Sequence, residues 1–371
     1  MYDIAIIGGG IVGLSVAYEL VKSHPEKKII VIEKEKDVGV HQTGKNSGVI
    51  HSGIYYKPGS LKAKNCRYGI TLLKKFCSEN KIKFEICGKI IIASDKSEVS
   101  NLEMIFNRGV ENGIKGLEIL DSETIREYEP HAVGEAAIFC PETGIVDYSS
   151  VCDKLKEIVS EKGKVKTSFE VKDVLVQDSN ITLHSGLETI KTKFLINCGG
   201  LFSDKILAFS GLKRNFRIVP FRGEYYKLKK EAYYLVKNLI YPVPDPRYPF
   251  LGVHFTRTIN GEIEAGPNAV LAFSREGYTF ANVNFKEMWD YLSYSSFWKM
   301  ASKYWKTGIK EYQRSLFKTS FLKSLQKLVP DVRSQHIEKG FSGVRAQALD
   351  NNGFLLDDFL IEKKKNMIHI I

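Results

Sequence analysis

Two kinds of residue in this sequence are spaced for chemistry. The first is the run Gly8-Gly9-Gly10-Ile11-Val12-Gly13, followed further along by Glu33. Gly8 permits a tight turn. Gly10 lacks a Cβ and lets a pyrophosphate approach the backbone, and Gly13 lets a helix pack closely on a strand. Glu33, about 20 residues on, can accept hydrogen bonds from ribose hydroxyls, and its charge argues against a 2′-phosphate. The second kind is dispersed. His51 and His254 carry a side chain that titrates near neutral pH and can take up a proton. Arg222 and Arg345 sit beside glycines in apolar surroundings, where a planar, permanently charged fork suits a carboxylate. Tyr226 can orient a substrate. Each also has a plainer reading: a histidine bonded to a backbone carbonyl or buried in the core, an arginine in an internal salt bridge.

The glycine run needs a strand before it and a helix after it. Tyr2 to Ile7 is a short apolar run that reads as a buried parallel strand, and Leu14 to Lys22 has helical spacing. Ile29-Ile30-Val31-Ile32 reads as a second buried strand ending at Glu33. The helix start offers free N–H groups and partial positive charge to phosphates. These residues form a βαβ unit for a dinucleotide, without separating FAD from NAD.

The chain has 371 residues, enough for more than one domain, with 43% apolar and 26% charged residues, as in ordinary globular proteins. Its net charge of +11 favours anionic partners or reflects Lys-rich composition. Six cysteines form no CxxC pair, and no histidine lies at metal-ligand spacing from them. They read as reduced thiols of a cytoplasmic protein, and no metal is expected. No apolar run is long enough to span a membrane and no leader is visible.

The segment His41-Gln42-Thr43-Gly44-Lys45-Asn46-Ser47-Gly48-Val49-Ile50-His51-Ser52-Gly53-Ile54-Tyr55-Tyr56 is rich in glycine and small polar residues, so its backbone can lie close to a flat ligand. A helix is expected from about Ser60, an N-cap residue. This stretch and Pro58 to Ala63 closely resemble the L-2-hydroxyglutarate oxidase/dehydrogenase family, within the D-amino-acid-oxidase-like flavoproteins. The resemblance continues through Cys87-Gly88-Lys89, Pro141 to Asp147, Asn197 to Asp204, Pro220 to Tyr226, Gly266 to Ala269 and Ser342 to Gln347, essentially the whole chain.

That resemblance implies FAD as cofactor and oxidation of L-2-hydroxyglutarate to 2-oxoglutarate, with hydride passing to flavin N5 and electrons then to oxygen or a membrane quinone. A related amino-acid or glycerol-phosphate oxidoreductase is the alternative within the same chemistry. A nucleic-acid-associated flavoprotein is the reading from another class, and no RNA-binding motif supports it. Such an oxidation needs a base for the hydroxyl proton and cations for the carboxylates. His51 is the first choice of base and His254 the second, with Arg222 and Arg345 as clamps. Cofactor contacts are expected from Gly8, Gly10, Ile11, Val12, Gly13, Glu33, Lys34, Thr43, Lys45, Asn46, Ser47, Gly48, Val171, Cys198, Gly199 and Gly200. Lys45 stands where the family usually has histidine; lysine can hold a charge there but cannot act as a neutral acid/base. Family members continue past Met367-Ile368-His369-Ile370-Ile371 with a Pro/Ser/Ala-rich turn and a last helix near the flavin, an element this chain is expected to lack.

The expected fold is α/β plus α+β. A discontinuous Rossmann-like FAD-binding domain (1–80, 148–212, 335–371) joins a mixed or antiparallel-sheet substrate domain (81–147, 213–334). Residues 83–94 read as a strand pair around Gly88, 163–183 as a β-meander, 216–285 as strand-rich, and Lys193 to Asn197 as a strand leading to Gly199-Gly200 and a helix near Ser203. Residues 286–327 are basic and helical, and contain Trp289, Trp298 and Trp305. Trp298, Trp305 and Tyr312 recur every seven residues. The expectation is that these aromatics pack into the substrate domain. The alternative is docking on an anionic membrane surface beside a quinone.

Overall fold

The computed structural model describes residues 1–186, 188–246 and 250–371. Its architecture rests on two large sheets. In the first, Tyr2–Ile7 pairs in parallel with Ile29–Ile32 on one side and with Glu188–Asn197 on the other. Lys164–Lys166 continues the sheet beyond Ile29–Ile32, and Met367–Ile370 lies parallel to the end of Glu188–Asn197. A parallel sheet is covered on both faces, which is why Ile29–Ile32 is apolar and buried at every position. Each such side chain contributes about 2 kcal/mol on leaving water. Helices Ile11–Ser23 and Tyr148–Lys162 bring Leu14, Ala17, Val21, Val151, Leu155 and Val159 into one core with Ile6, Ile29 and Val31.

The spine of the second sheet is a long antiparallel pair, Phe216–Leu228 with Ile337–Asp350, whose register shifts between Glu224 and Tyr226. Ile263–Gly266, His254–Arg257, Leu239–Pro242, Lys89–Ala93 and Ala136–Cys140 follow across it. Helix Lys318–Gln326 closes one face with Phe321 and Leu325. The first sheet draws its strands from three separated stretches of chain, and the second from segments inserted between them.

Several details differ from the sequence reading. Phe84–Glu85 and Lys89–Ala93 are not partners: the first pairs with Gly144–Val146 and the second with Ala136–Cys140 and Leu239–Pro242. Gly88, at φ +74° and pressed against Phe139, turns the chain from a small three-stranded sheet of Val49–Ile50, Gly144–Val146 and Phe84–Glu85 into the second large sheet. Of residues 163–183, Lys164–Lys166 is a parallel strand; the meander comprises Asp173–Val176, Ile181–Ser185 and Glu188–Asn197. The division drawn at residue 335 misplaces Ile337–Asp350, which pairs along its length with Phe216–Leu228 and so lies in the second sheet. In the strand-rich region, residues 247–249 lie outside the described set.

The basic aromatic segment forms Phe285–Leu292, Ser295–Leu316 and Lys318–Gln326. Its packing face is not the tryptophan face. Phe297 and Met300 are buried with Ala301 and Tyr304 against Val219 and Leu349. Trp289, Trp298 and Trp305 are 71%, 59% and 56% exposed, which corrects the expectation that they pack inward. A seven-residue repeat drifts about 20° per step on a 3.6-residue helix. Tyr312 has thereby turned towards the protein, where its hydroxyl donates to Leu271 O at 3.2 Å.

Candidate active site

The site has two halves. The nucleotide half is a cavity of about 1040 Å³ bordered by Gly8, Gly10, Ile11, Val12, Glu33, Lys34, Thr43, Asn46, Val171, Cys198, Gly199 and Gly200. Gly8 has φ +109°, and a Cβ there would overlap Cys198 O. A Cβ on Gly13 would fall inside the contact radius of Gly8 O, so Gly13 shapes the turn rather than bordering the cavity. The helix Ile11–Ser23 has no side-chain cap and no acidic residue in its first turn. Ile11 N donates to Thr43 Oγ1 at 3.0 Å, and the remaining N–H groups of the first turn and the partial positive charge are left for an anion. Glu33 is held by Gly9 N at 2.7 Å and Glu35 N at 2.9 Å, which fixes the carboxylate and leaves acceptor capacity.

Of the remaining expected cofactor residues, Asn46 accepts from Gly48 N at 2.7 Å and braces the turn where Gly48 has φ +70°. Lys45 places its Nζ 4.8 Å from the Tyr278 ring centroid, and Ser47 faces Tyr225. Lys45, Ser47 and Gly48 are not among the residues bordering the nucleotide cavity.

A strap from the second sheet crosses this half. Lys34 is ion-paired to both Glu35 and Glu276, and His41 Nε2 lies 2.9 Å from Glu35 Oε1 and 3.2 Å from Glu276 Oε1. His41 Nδ1 meets the Tyr278 hydroxyl at 2.6 Å. Glu35, His41 and Glu276 converge closely enough to hold a metal ion, yet the Lys34 ammonium already serves both carboxylates. Sequence reading did not find this cluster, because Glu276 is 242 residues from Lys34.

Beyond Asn46 the chain enters the second half. The loop carrying His51 is tied down from behind. Asn112 donates to Gly53 O at 3.1 Å and Tyr56 O at 2.8 Å, and Arg108 donates to Tyr55 O at 2.8 Å. His51 is open to small molecules yet ringed by protein. Desolvation, then the charge of Lys89, brings its pKa down to about 3. His254 is buried, and its ring stacks on Tyr241 at 4.0 Å. It lies 2.8 Å from Gly252 O through Nδ1. A carbonyl only accepts, so Nδ1 carries the proton and Nε2 keeps its lone pair. Burial likewise holds its pKa at about 3. Both imidazoles are neutral at physiological pH.

The expected clamps part company. Arg222 is fully buried; its Nε donates to Glu224 Oε1 at 3.1 Å, and its guanidinium lies 4.0 Å from the Phe280 ring centroid. It is engaged in an internal ion pair rather than free to clamp a carboxylate. Residues i and i+2 of a strand share a face, so the pattern Arg222-Gly223-Glu224 carried the signal for that pairing. Arg345 has no carboxylate partner among the described residues. It makes a 3.4 Å contact with Asn268 O and lies 5.3 Å from the Phe250 ring centroid. Tyr226 is also corrected. It lies in the core with its ring 4.6 Å from Phe321, because alternation along the strand turns it away. Its neighbour Tyr225 faces Ser47 and Arg345 instead, and burial pushes its hydroxyl up to about 12.

Residues 3–371 match the family of FAD dependent oxidoreductases. The chain belongs to that family. FAD is its cofactor, and the glycine cradle, the uncapped helix start and Glu33 fit the nucleotide half of that group. An L-2-hydroxyglutarate dehydrogenase of Indibacter alkaliphilus is 49% identical over 372 residues, covering 100% of this chain and 93% of that protein. The mitochondrial L-2-hydroxyglutarate dehydrogenase of Homo sapiens is 45% identical, covering 97% and 81%. Among solved structures, a dithionite-reduced L-alpha-glycerophosphate oxidase from Mycoplasma pneumoniae with FAD bound superposes with a TM-score of 0.78 at 21% identity, covering 100% of this chain and 88% of that one. A glycine oxidase from Geobacillus kaustophilus gives 0.73 at 17% identity, covering 100% and 88%. At those identities the structures establish the fold of this FAD-dependent oxidoreductase, and the full-length relatives speak to its chemistry.

Proposed function

We propose that this flavoprotein oxidises L-2-hydroxyglutarate to 2-oxoglutarate. The observation that carries the reading is the 49% identity over the full chain to a relative of that name. FAD, when bound, would supply the two-electron acceptor for the hydrogen on C2. The protein's own residues handle the rest. His51, neutral and accessible, takes the hydroxyl proton, and an anionic substrate raises the affinity of that ring for a proton. Arg345 holds the carboxylate next to the reacting carbon. His254, fixed by Gly252 O and Tyr241, forms the wall behind them. The decisive experiment is anaerobic mixing of the holoprotein with L-2-hydroxyglutarate, its D-isomer and amino acids. Bleaching of the flavin spectrum by the L-hydroxy acid alone is the expected result; bleaching by amino acids instead would replace the reading.

The relatives are named as dehydrogenases, which favours an acceptor other than oxygen. Among the described residues no helix is long and apolar enough to cross a membrane. We propose peripheral docking on an anionic lipid surface, from which a quinone draws the electrons. Supporting it, Phe285, Trp289, Trp298, Trp305 and Leu316 are more than half exposed, and Lys299, Lys303, Lys306 and Lys310 lie on the same helical segment. Sedimentation with phosphatidylglycerol vesicles tests this: the parent protein is expected to bind and a Lys299→Glu/Lys303→Glu/Lys306→Glu variant to be released. A parent that stays in the supernatant ends the idea.

A further inference from the structure

A dicarboxylate needs positive charge at both ends, and Arg222 is engaged with Glu224. The second cation has to come from elsewhere. Three cationic side chains are almost fully buried among the described residues: Lys89 at 1%, Arg222 at 0% and Arg275 at 2% exposure. Arg275 is neutralised by Asp204 and Asp290. Lys89 alone of the three has neither a carboxylate nor a hydrogen-bond partner. It heads the strand Lys89–Ala93, which is otherwise Ile-Ile-Ile-Ala and buried throughout. An ammonium left unpaired in such surroundings lowers stability, and a fold keeps one where an anion is to be received.

Its position points the same way. Lys89 Nζ lies 4.3 Å from the centroid of the Tyr55 ring and 5.0 Å from that of Tyr241. The π faces of two tyrosines hold a cation in place without neutralising it. Tyr55 follows His51 on the same clamped loop, and its hydroxyl is likewise buried without a partner. Tyr241 stacks on His254. The Lys89 ammonium is almost wholly shielded from water, so its charge is little screened, and it acts on both His51 and His254.

We propose that Lys89, caged by Tyr55 and Tyr241, is the specificity-determining cation for the far carboxylate of a dicarboxylate substrate whose near carboxylate is held by Arg345. The inference rests on the reading of the substrate given above. It assigns Lys89 a role in binding the substrate tail and none in the transfer itself.

Lys89→Met keeps the volume and removes the charge. In the holoprotein it is expected to raise the KM for L-2-hydroxyglutarate about 10- to 100-fold with kcat retained. The KM for L-2-hydroxybutyrate, which lacks the far carboxylate, should be unchanged. A second readout needs no turnover: glutarate, but not butyrate, should raise the melting temperature of the parent holoprotein, and Lys89→Met should lose that shift. Lys89→Arg, which keeps the charge, should retain it. Removal of an unpaired buried charge should also raise the ligand-free melting temperature. A Lys89→Met holoprotein with parental KM and parental glutarate shift would overturn the proposal. So would a variant that is destabilised or does not fold, since Lys89 would then be structural. If the parent fails to oxidise L-2-hydroxyglutarate yet shows the Lys89-dependent glutarate shift, the substrate reading fails and the dicarboxylate subsite stands.

Discussion

The two halves of the site are built from different materials. The nucleotide half is mostly backbone: the Gly8 and Gly13 contacts, the open helix start and the turn at Gly48. The proposed substrate half would instead draw on side-chain charge and ring faces, with His51, Lys89, Tyr225, Tyr241, His254 and Arg345 brought from distant stretches of chain. The first is therefore expected to fail sterically and to lose cofactor. The second is expected to fail electrostatically and to lose substrate while keeping cofactor.

The largest expected effect lies in the first half. Gly13→Val would drive a Cβ and two γ carbons towards the backbone at Gly8, costing about 3 kcal/mol or more. The purified protein should lack flavin absorbance; a variant that retains it would show that the turn can yield. Next comes Arg222→Met, which leaves the Glu224 carboxylate without its guanidinium. A loss of about 3 kcal/mol in denaturant unfolding is expected, with little change in KM of the folded fraction. The reverse result, a raised KM at parental stability, would return Arg222 to the role of clamp.

Arg345→Met is expected to raise KM for the hydroxy acid by about 100-fold at unchanged flavin content, the signature of lost substrate charge pairing. Loss of flavin in this variant would blur the division between the halves. The Lys89 pair of proteins sharpens it through pH. Burial lowers the Lys89 pKa from 10.5 to about 8. Below pH 8 the ammonium is charged in folded and unfolded chains alike, and its burial subtracts stability. Between pH 8 and 10.5 the folded state sheds the proton first, so the subtraction fades as pH rises. The melting-temperature gap between Lys89→Met and the parent should therefore be widest below pH 8 and should close by pH 10.5. A gap constant with pH would mean that folding leaves the Lys89 pKa unshifted, so that its ammonium is not desolvated in the folded protein. The smallest effect is expected from Glu276→Gln. It weakens a partly exposed ion pair by about 1 kcal/mol or less and should speed exchange of bound FAD several-fold.

The sequence made the nucleotide half legible because its determinants are local. The glycine run, Glu33 and the turn of residues 41–48 lie within one βαβ unit and its exit. In the other half the residue types were visible but not their partners. Arg222 looked free until Glu224 was seen on the same strand face, and Tyr226 was chosen over Tyr225 although alternation allows only one of them to face the site. Lys89 stands in the motif Cys87-Gly88-Lys89, yet its lack of a counter-ion is evident only once Tyr55 and Tyr241 are brought around it. The helix 295–316 teaches the same point: heptad spacing marked a face, and only tertiary packing decided that Phe297 and Met300, not Trp298 and Trp305, meet the sheet.

The strap formed by Glu276 and Tyr278 over Lys34 and His41 bears on how reducing equivalents travel. A flavin seated in the cavity that Lys34, His41 and Glu276 border would be a resident of the protein, not a shuttle between proteins. Its departure would require those contacts to open each time, so the two electrons of a catalytic cycle have to leave while their carrier stays behind. The second reactant must come to the protein, or the protein must be brought to it. Retention of one flavin per chain through repeated turnover and gel filtration is the corresponding observation, and progressive loss of the flavin during turnover would contradict it.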